Sequence, residues 1–294
     1  MRRKFDLRAF LALSALVVGF LILAGCAVKK GNIWGDPDTG LILTYRMPEG
    51  EVLKYQTSSE TNQSLDVMGQ IVDVEIDGTS LFSVQAKGLK EDNLRLLITI
   101  ESMSMDVFSS EGELSPDMST VEEKSFEMIL SPLGKELELI GVDAIKYDMG
   151  PEGEHSIESE FQGFFPNFSE SAVKVGDTWT SQDVITDVSD TGEMRIILDN
   201  THTLDGFETV EGLECVRIKS SIKGTMEGEG TQGGMDLVYQ GKVEGTDTLY
   251  FAYKKGVFIK GIMNGTVEGT IFVESQNLDI PFTREMKMQS ELKK

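Results

Sequence analysis

The chain has 294 residues, with 49 acidic against 27 basic side chains and a net charge of −22. With 40% apolar and 26% charged residues, it has the composition of a folded chain, long enough for one large domain or two ordinary ones. The acidic balance argues against nucleic acid as a partner, because phosphate contacts need clustered Lys and Arg. Two cysteines cannot staple a domain of this size, and two histidines leave little for a His-based metal site or triad.

The chain opens on Arg2, Arg3, Lys4 and Arg8, followed by an apolar run from Ala9 to Ala24 broken only by Ser14 and Gly19. A basic flank and a run of this length read as an export signal, short for a membrane span. The run ends Leu23-Ala24-Gly25-Cys26. This resembles the lipobox of bacterial lipoproteins. The resemblance implies cleavage between Gly25 and Cys26, with a diacylglyceryl thioether and an acyl chain on Cys26 as the only added groups. Each buried methylene contributes ~0.8 kcal/mol, so two or three chains hold a protein firmly on a bilayer. Residues 1–25 carry away four basic groups and Asp6, which leaves the mature chain at −25. A body so charged is repelled by anionic headgroups and is expected to stand off the membrane on its lipid. By the same resemblance, Ala27 after the cysteine favours the outer membrane where the source is Gram-negative.

Residues 26–40 read as the lipidated cysteine and a flexible tether rich in Gly and Pro. Trp34 is the exception; headgroup level and the domain surface are both open to it. Asp36-Pro37-Asp38-Thr39-Gly40 has a calcium loop's spacing without its final Glu, and a plain turn is the simpler reading.

From Leu41 the dominant period is two. Val72, Val74, Ile76, Phe82, Val84 and Ala86 share one parity. So do Met235, Leu237, Tyr239, Val243, Leu249, Phe251 and Tyr253, and then Val257, Ile259, Met263, Val267, Ile271 and Val273. Residues of one parity share one face of a strand. Stretches of about fifteen residues span ~50 Å. The expected fold is therefore mainly β, with long antiparallel strands in a curved sheet or half-barrel. Gly241, Gly245, Gly261, Gly265 and Gly269 fall on the apolar parity, where they favour bending or close approach. Turns are expected at 75–78, 90–93, 205–206 and 254–256. Helix is scarce: 142–148 could form a short turn, and Ser156 to Phe165 is the best candidate, capped by Ser156 and stopped by Pro166.

A weak repeat links Pro48-Glu49-Gly50-Glu51-Val52-Leu53-Lys54-Tyr55 to Val173-Lys174-Val175-Gly176-Asp177-Thr178-Trp179-Thr180. It allows two related lobes, 41–140 and 171–294, joined by a linker at 141–170 that carries the short helix; one continuous sheet is the alternative. The phrases Ser131-Pro132-Leu133-Gly134-Lys135-Glu136 and Ala172-Val173-Lys174-Val175-Gly176-Asp177-Thr178-Trp179 resemble a family of β-rich bacterial envelope lipoproteins with a Val-Gly-Asp-Thr-Trp strand. The resemblance implies an exported, lipid-anchored β protein and brings no catalytic role. The long strands are also similar to half-barrel carriers of lipoproteins and lipids, and a fold alone does not fix a function.

Candidate chemistry is thin. His155 lies in an acidic loop, His202 on a strand, and no Gly-x-Ser-x-Gly elbow occurs. Cys215 has neither Lys nor His beside it and reads as an inert small residue. The acidic pairs Glu111/Glu113, Glu122/Glu123 and Glu152/Glu154 read as solubilising faces, and no spacing specifies a metal. Methionines spread along the body, Met103, Met105, Met128, Met149, Met194, Met226, Met235, Met263, Met286 and Met288 among them, suit a core or a tolerant apolar cavity alike. An apolar ligand under the mid-chain helix would meet Phe161, Phe164, Phe165, Phe168, Tyr239, Phe251 and Tyr253. The expectation is a non-enzymatic envelope lipoprotein. Its first reading is a structural or partner-binding role with another envelope protein, and its alternative is a carrier of an apolar ligand or lipid.

Overall fold

The computed structural model describes residues 33–110, 112–150 and 153–293. The signal segment 1–25, Cys26 and tether residues 27–32 lie outside the described residues. Trp34–Lys294 form one contact unit.

A small hairpin comes first, β1 (Gly35–Asp36) and β2 (Gly40–Leu41). The strands β3 (Val52–Val67), β4 (Gln70–Lys90) and β5 (Asn93–Ser109) follow, with the side strand β6 (Gly112–Leu114). Four short strands occupy mid-chain: β7 (Ser125–Leu130), β8 (Glu136–Ile140), β9 (Lys146–Asp148) and β10 (Glu154–Ser156). Six strands complete the chain: β11 (Thr178–Ser189), β12 (Gly192–Val210), β13 (Leu213–Gln232), β14 (Met235–Ala252), β15 (Val257–Val273) and β16 (Leu278–Lys293).

All but the first two join one antiparallel sheet, curled as a half-barrel, in the order β8-β7-β5-β4-β3-β16-β15-β14-β13-β12-β11-β10-β9, with β6 beside β5. The strands before and after the mid-chain segment thus meet in a single sheet, where β3 pairs with β16 from Lys54–Lys293 to Leu65–Phe282. The outermost strands β8 and β9 are neighbours in the chain, separated only by residues 141–145.

Two-residue hairpins explain why the strands run so long. Met68-Gly69, Glu91-Asp92, Glu211-Gly212 and Gly233-Gly234 all have positive φ at both positions, the turn whose twist matches paired strands. Two expected turns are absent. Residues 75–78 run through the middle of β4, because alternation continues from Val72 to Phe82. A Cβ at Gly78 would stand 2.6 Å from Ser59 Oγ, a contact that rotation of the hydroxyl relieves. Residues 205–206 form a bulge in β12 against β13 instead of a reversal.

The mid-chain helix is also smaller than expected. Ser156 Oγ does accept the Glu158 N–H at 3.1 Å, but only a 3-10 turn forms, Glu158–Glu160. A continuous α-helix would place Phe161, Phe164, Phe165 and Phe168 around one cylinder; as an irregular segment they reach different strands. Residues 146–148 are strand β9, not a helical turn.

Segment 157–168 lies across the gap in the curled sheet and grips both sides. Gly163 N–H donates to Glu136 Oε2 on β8 at 2.8 Å. The adjacent Gln162 Oε1 accepts the Thr186 N–H of β11 at 2.6 Å. That edge of β11 is free to receive it, since β10 pairs with β11 only at Ser189. Phe168 N–H donates to Leu133 O at 2.8 Å, Trp179 Nε1 to Asn167 O at 3.0 Å, and Tyr45 Oη to Pro166 O at 3.1 Å. The two sequence phrases around Gly134 and Trp179 are therefore the two jaws that hold this clasp.

Gly134 has φ +92°, and a Cβ there would stand 2.1 Å from Pro166 O and 2.8 Å from the Tyr45 ring. Gly163, on the clasp itself, has φ +75° with open space around it. We expect Gly163→Ala to cost about 1–2 kcal/mol, the left-handed backbone penalty alone. Gly134→Ala should cost more than twice as much, since the clash adds to that penalty; urea unfolding of the two variants measures the difference.

Candidate functional site

The face of the sheet that meets the clasp, the inner face, carries the apolar parity of every long strand. Its two halves differ. Near the clasp it is filled with rings: Phe161 packs on Phe82 and Phe126, Phe164 on Tyr55 and Phe258, Phe165 on Tyr45, and Phe168 on Phe251, with centroids 4.4–5.7 Å apart. Such pairs add ~0.5–1.5 kcal/mol each beyond burial. Five of the expected ligand residues, Phe161, Phe164, Phe165, Phe168 and Phe251, are thus brought into one cluster, with Phe164 on Phe165 and Phe168 on Phe251. Tyr253 is buried against Phe207, and its carbonyl accepts a bond from Arg46. Tyr239 stands apart, in the far half of β14 opposite Ile271.

Beyond the clasp the inner face continues as a concave surface. Met103, Met105, Met194, Met226, Met263, Met286 and Met288 all point to it by register, with Val74, Ile76, Val107, Ile196 and Ile271. Most are half-buried, and Met288 is 39% exposed. The sequence showed a methionine excess; only the register shows that these seven share one face. Glycines on this face make room for neighbouring side chains. A Cβ on Gly269 would stand 2.7 Å from the Phe282 ring, and one on Gly241 would stand 3.3 Å from Met226 Cε. Aromatic and thioether groups lie over these glycines, which flattens the surface.

A buried polar stripe crosses the wall of β11–β14. His202 is buried, with Nε2 2.9 Å from Ser181 Oγ and Nδ1 2.8 Å from Ser220 Oγ, and the Trp179 ring stacks on it at 5.3 Å. Burial pushes its pKa down to about 4, so the ring is neutral and holds two hydroxyls in place. Asp183 accepts from Asn200 at 2.6 Å and from the clasp's Asn167 at 2.7 Å. One strand beyond Ser220 lies Asp247, whose Oδ1 is buried without a hydrogen-bond partner; desolvation raises its pKa to about 7. Glu136 under the clasp is raised to about 7 for the same reason, with the N–H groups of the clasp opposing the shift. Sequence reading named His202 and missed Asp183 and Asp247, which look like any other acid in so acidic a chain until register puts them inside.

The remaining candidates sit elsewhere. His155 on β10 is half-buried, stacked on Tyr147 at 5.9 Å with Nδ1 3.8 Å from Asp187 Oδ2. Cys215 is buried, and desolvation raises its thiol to about 11, so it stays protonated at neutral pH. Trp34 docks on the domain: it packs against the core, its carbonyl accepts the Ile42 N–H at 3.0 Å, and the Arg46 guanidinium lies 5.9 Å from its ring centroid.

The outer face is of opposite character. Lys219, Lys223, Glu227, Lys242, Glu244, Glu268, Glu285 and Lys287 all stand exposed on it. A transmembrane barrel shows lipid an apolar band on its outside; this sheet carries its apolar residues inside and its charges outside.

No protein-family model and no curated protein matches the sequence. Among solved structures, an outer-membrane channel of Pseudomonas putida aligns at 9% identity over 85% of this chain and 98% of its own, with a TM-score of 0.27. A protein with a YmcC-like fold from Bacteroides fragilis aligns at 9% identity over 86% of this chain and 99% of its own, with a TM-score of 0.25. The hypothetical lipoprotein YmcC from Escherichia coli aligns at 13% identity over 78% of this chain and 85% of its own, with a TM-score of 0.22. Scores and identities this low transfer no role to the chain.

Two pH effects of opposite sign follow from the buried groups. The folded state binds a proton at His202 less well than the unfolded chain does. Its contribution is full above pH ~6.5 and falls as pH drops toward 4, by about 3 kcal/mol in all. His202→Gln should remove that acid loss from the stability-against-pH curve. At Asp247 the folded pKa is raised, so stability falls as pH rises from ~4 through 7. Asp247→Asn should leave stability at pH 4 nearly unchanged and raise it at pH 8, read from denaturant midpoints at the two pH values.

Proposed function

We propose that this is an envelope lipoprotein, anchored through Cys26, that binds an apolar chain on the concave face of its half-barrel and has no catalytic role. The observation that carries this reading is the continuation of the apolar parity past the clasp. The aromatic core needs only the near half of the inner face, yet the far half is apolar as well: Met226, Val243, Val267 and Phe282 are buried there, with Met194, Ile196, Ile271 and Met286 half-buried around them. Methionine is unbranched and polarizable, and suits a surface that must fit flexible chains. The charged outer face fits an exported body in water, tethered by lipid and not embedded in it. Phe161, Phe164, Phe165, Phe168 and Phe251 are better read as the stopper that closes one end than as the ligand site itself.

Docking of a protein through sheet edges has less support. The outermost strands are only five and three residues long, and the clasp occupies much of the free edge of β11. Short, covered edges are the usual means by which sheets avoid pairing with other chains.

Native mass spectrometry of residues 27–294, purified from a periplasm without detergent, tests the carrier reading. We expect heterogeneous added mass of a few hundred daltons or more, released by organic solvent and identified as lipid; a bare polypeptide mass contradicts it. Anchoring has a separate test. Cys26→Ser should abolish acyl labelling and stop processing before residue 26, and a mature membrane-bound Cys26→Ser protein would refute the anchor.

A further inference from the structure

The concave face has a charge pattern that selects the polar end of what it binds. Along β3, β4, β5 and β11–β16, the Asp, Glu, Lys and Arg side chains that register turns inward are Asp183, Asp187, Asp247, Arg284 and, at the very start of β13, Glu214, which pairs with Lys254. Arg284 donates from Nε and Nη2 to Gln63 Oε1 at 2.8 and 2.6 Å. Asp183 is held by Asn200 and Asn167, and Asp187 accepts from Ser159 at 3.4 Å with His155 beside it. Asp247 is held by the backbone N–H groups of Thr248 and Ile262 and by no side chain. It stands in mid-sheet between Ser220 on β13 and Met263 on β15, and the next inward position on its own strand is Gly245. One of its oxygens is buried with no partner. In the same cross-strand row as Asp247 and Met263 lies Met288, the most open methionine of this face.

Resting on the carrier reading, we propose that Asp247 is the headgroup-recognition residue of this face. It selects a single-chain amphiphile with an ammonium head, and the chain lies over Met263, Met286 and Met288. A carboxylate in apolar surroundings is unfavourable without a partner, and an ammonium supplies both the opposite charge and the missing hydrogen-bond donors. Asp247 repels a carboxylate or phosphate head, so fatty acids and anionic phospholipids are disfavoured at this position although their chains would suit the methionines. Selection of this kind uses repulsion of the wrong head as well as attraction of the right one.

The test is photolabelling of the full-length lipidated protein in native membranes. Three diazirine-bearing probes of equal chain length carry an amine, an alcohol or a carboxylate head, and adducts are mapped by mass spectrometry. We expect the amine probe to label β15–β16 at least tenfold more than the carboxylate probe, with the alcohol between them. Asp247→Asn should bring the amine to within twofold of the alcohol while labelling by the alcohol persists. Equal labelling by the amine and carboxylate probes in the unaltered protein overturns the inference without any variant, and leaves the carrier reading standing. Absence of labelling on the inner face by all three probes defeats the carrier reading and the inference with it.

Discussion

The two hydrogen bonds made by consecutive residues Gln162 and Gly163 hold the curl of the sheet. One reaches β11 and the other β8, on opposite sides of the gap. A sheet of long, right-twisted strands curls but does not close by itself, and its edge strands here are too short to pair along their length. The clasp substitutes for the missing strand pairing. Its four phenylalanines then fill the space that curling creates, against rings contributed by β3, β4, β7, β14 and β15. Backbone closure and core filling are thus the work of a single segment, which is why that segment is irregular. A helix would satisfy its own backbone and leave Thr186 and Glu136 without partners.

Much of this was legible in the sequence. Period-two alternation from Val72 to Ala86 and from Met235 to Val273 declared long strands, and the glycines on the apolar parity declared curvature. The greasy mid-chain segment was legible as a cover for the sheet. Its conformation was not, because Ser156, Glu158 and Glu160 are good helix-start signals, and tertiary hydrogen bonds to both edges overrode them. Turn chemistry misled at 75–78, where Asp77-Gly78 sits mid-strand because the alternation from Val72 to Phe82 runs through it, paired with β3 on one side and β5 on the other. The candidate site was legible only as a list. Seven rings were named as one lining, and five of them lie in one packed aromatic cluster; the methionines were noted without a face. Parity within a strand is local information. Which strands adjoin, and so which inward residues share a row, is set by the pairing of β3 with β16, whose partners lie more than 200 residues apart.

The concave face and the stopper are made from the same alternating pattern, yet their physics differ. Near the clasp, rigid aromatics interlock and exclude water. Farther along, methionines and β-branched residues lie over glycines, a surface that rearranges at little cost. Between the two runs the polar stripe of Ser181, His202, Ser220 and Asp247. Its members are fixed by hydrogen bonds, and Asp247, held by the Thr248 and Ile262 N–H groups, is the one place where the stripe retains an unsatisfied oxygen. An arrangement of stopper, polar point and apolar surface in sequence along one face is what a single-chain amphiphile requires: an end, a head position and a bed for its tail.

The central claim is that the far half of the inner face is open to a ligand and not a packed core. Methionine oxidation by peroxide, followed residue by residue with mass spectrometry before and after lipid removal, tests it most directly. The account predicts that Met263, Met286 and Met288 are protected in the protein as isolated and oxidise rapidly once lipid is extracted, while buried Met118 and Met128 stay protected in both states. Equal, slow oxidation of all five after lipid removal would show a filled interior and contradict the account.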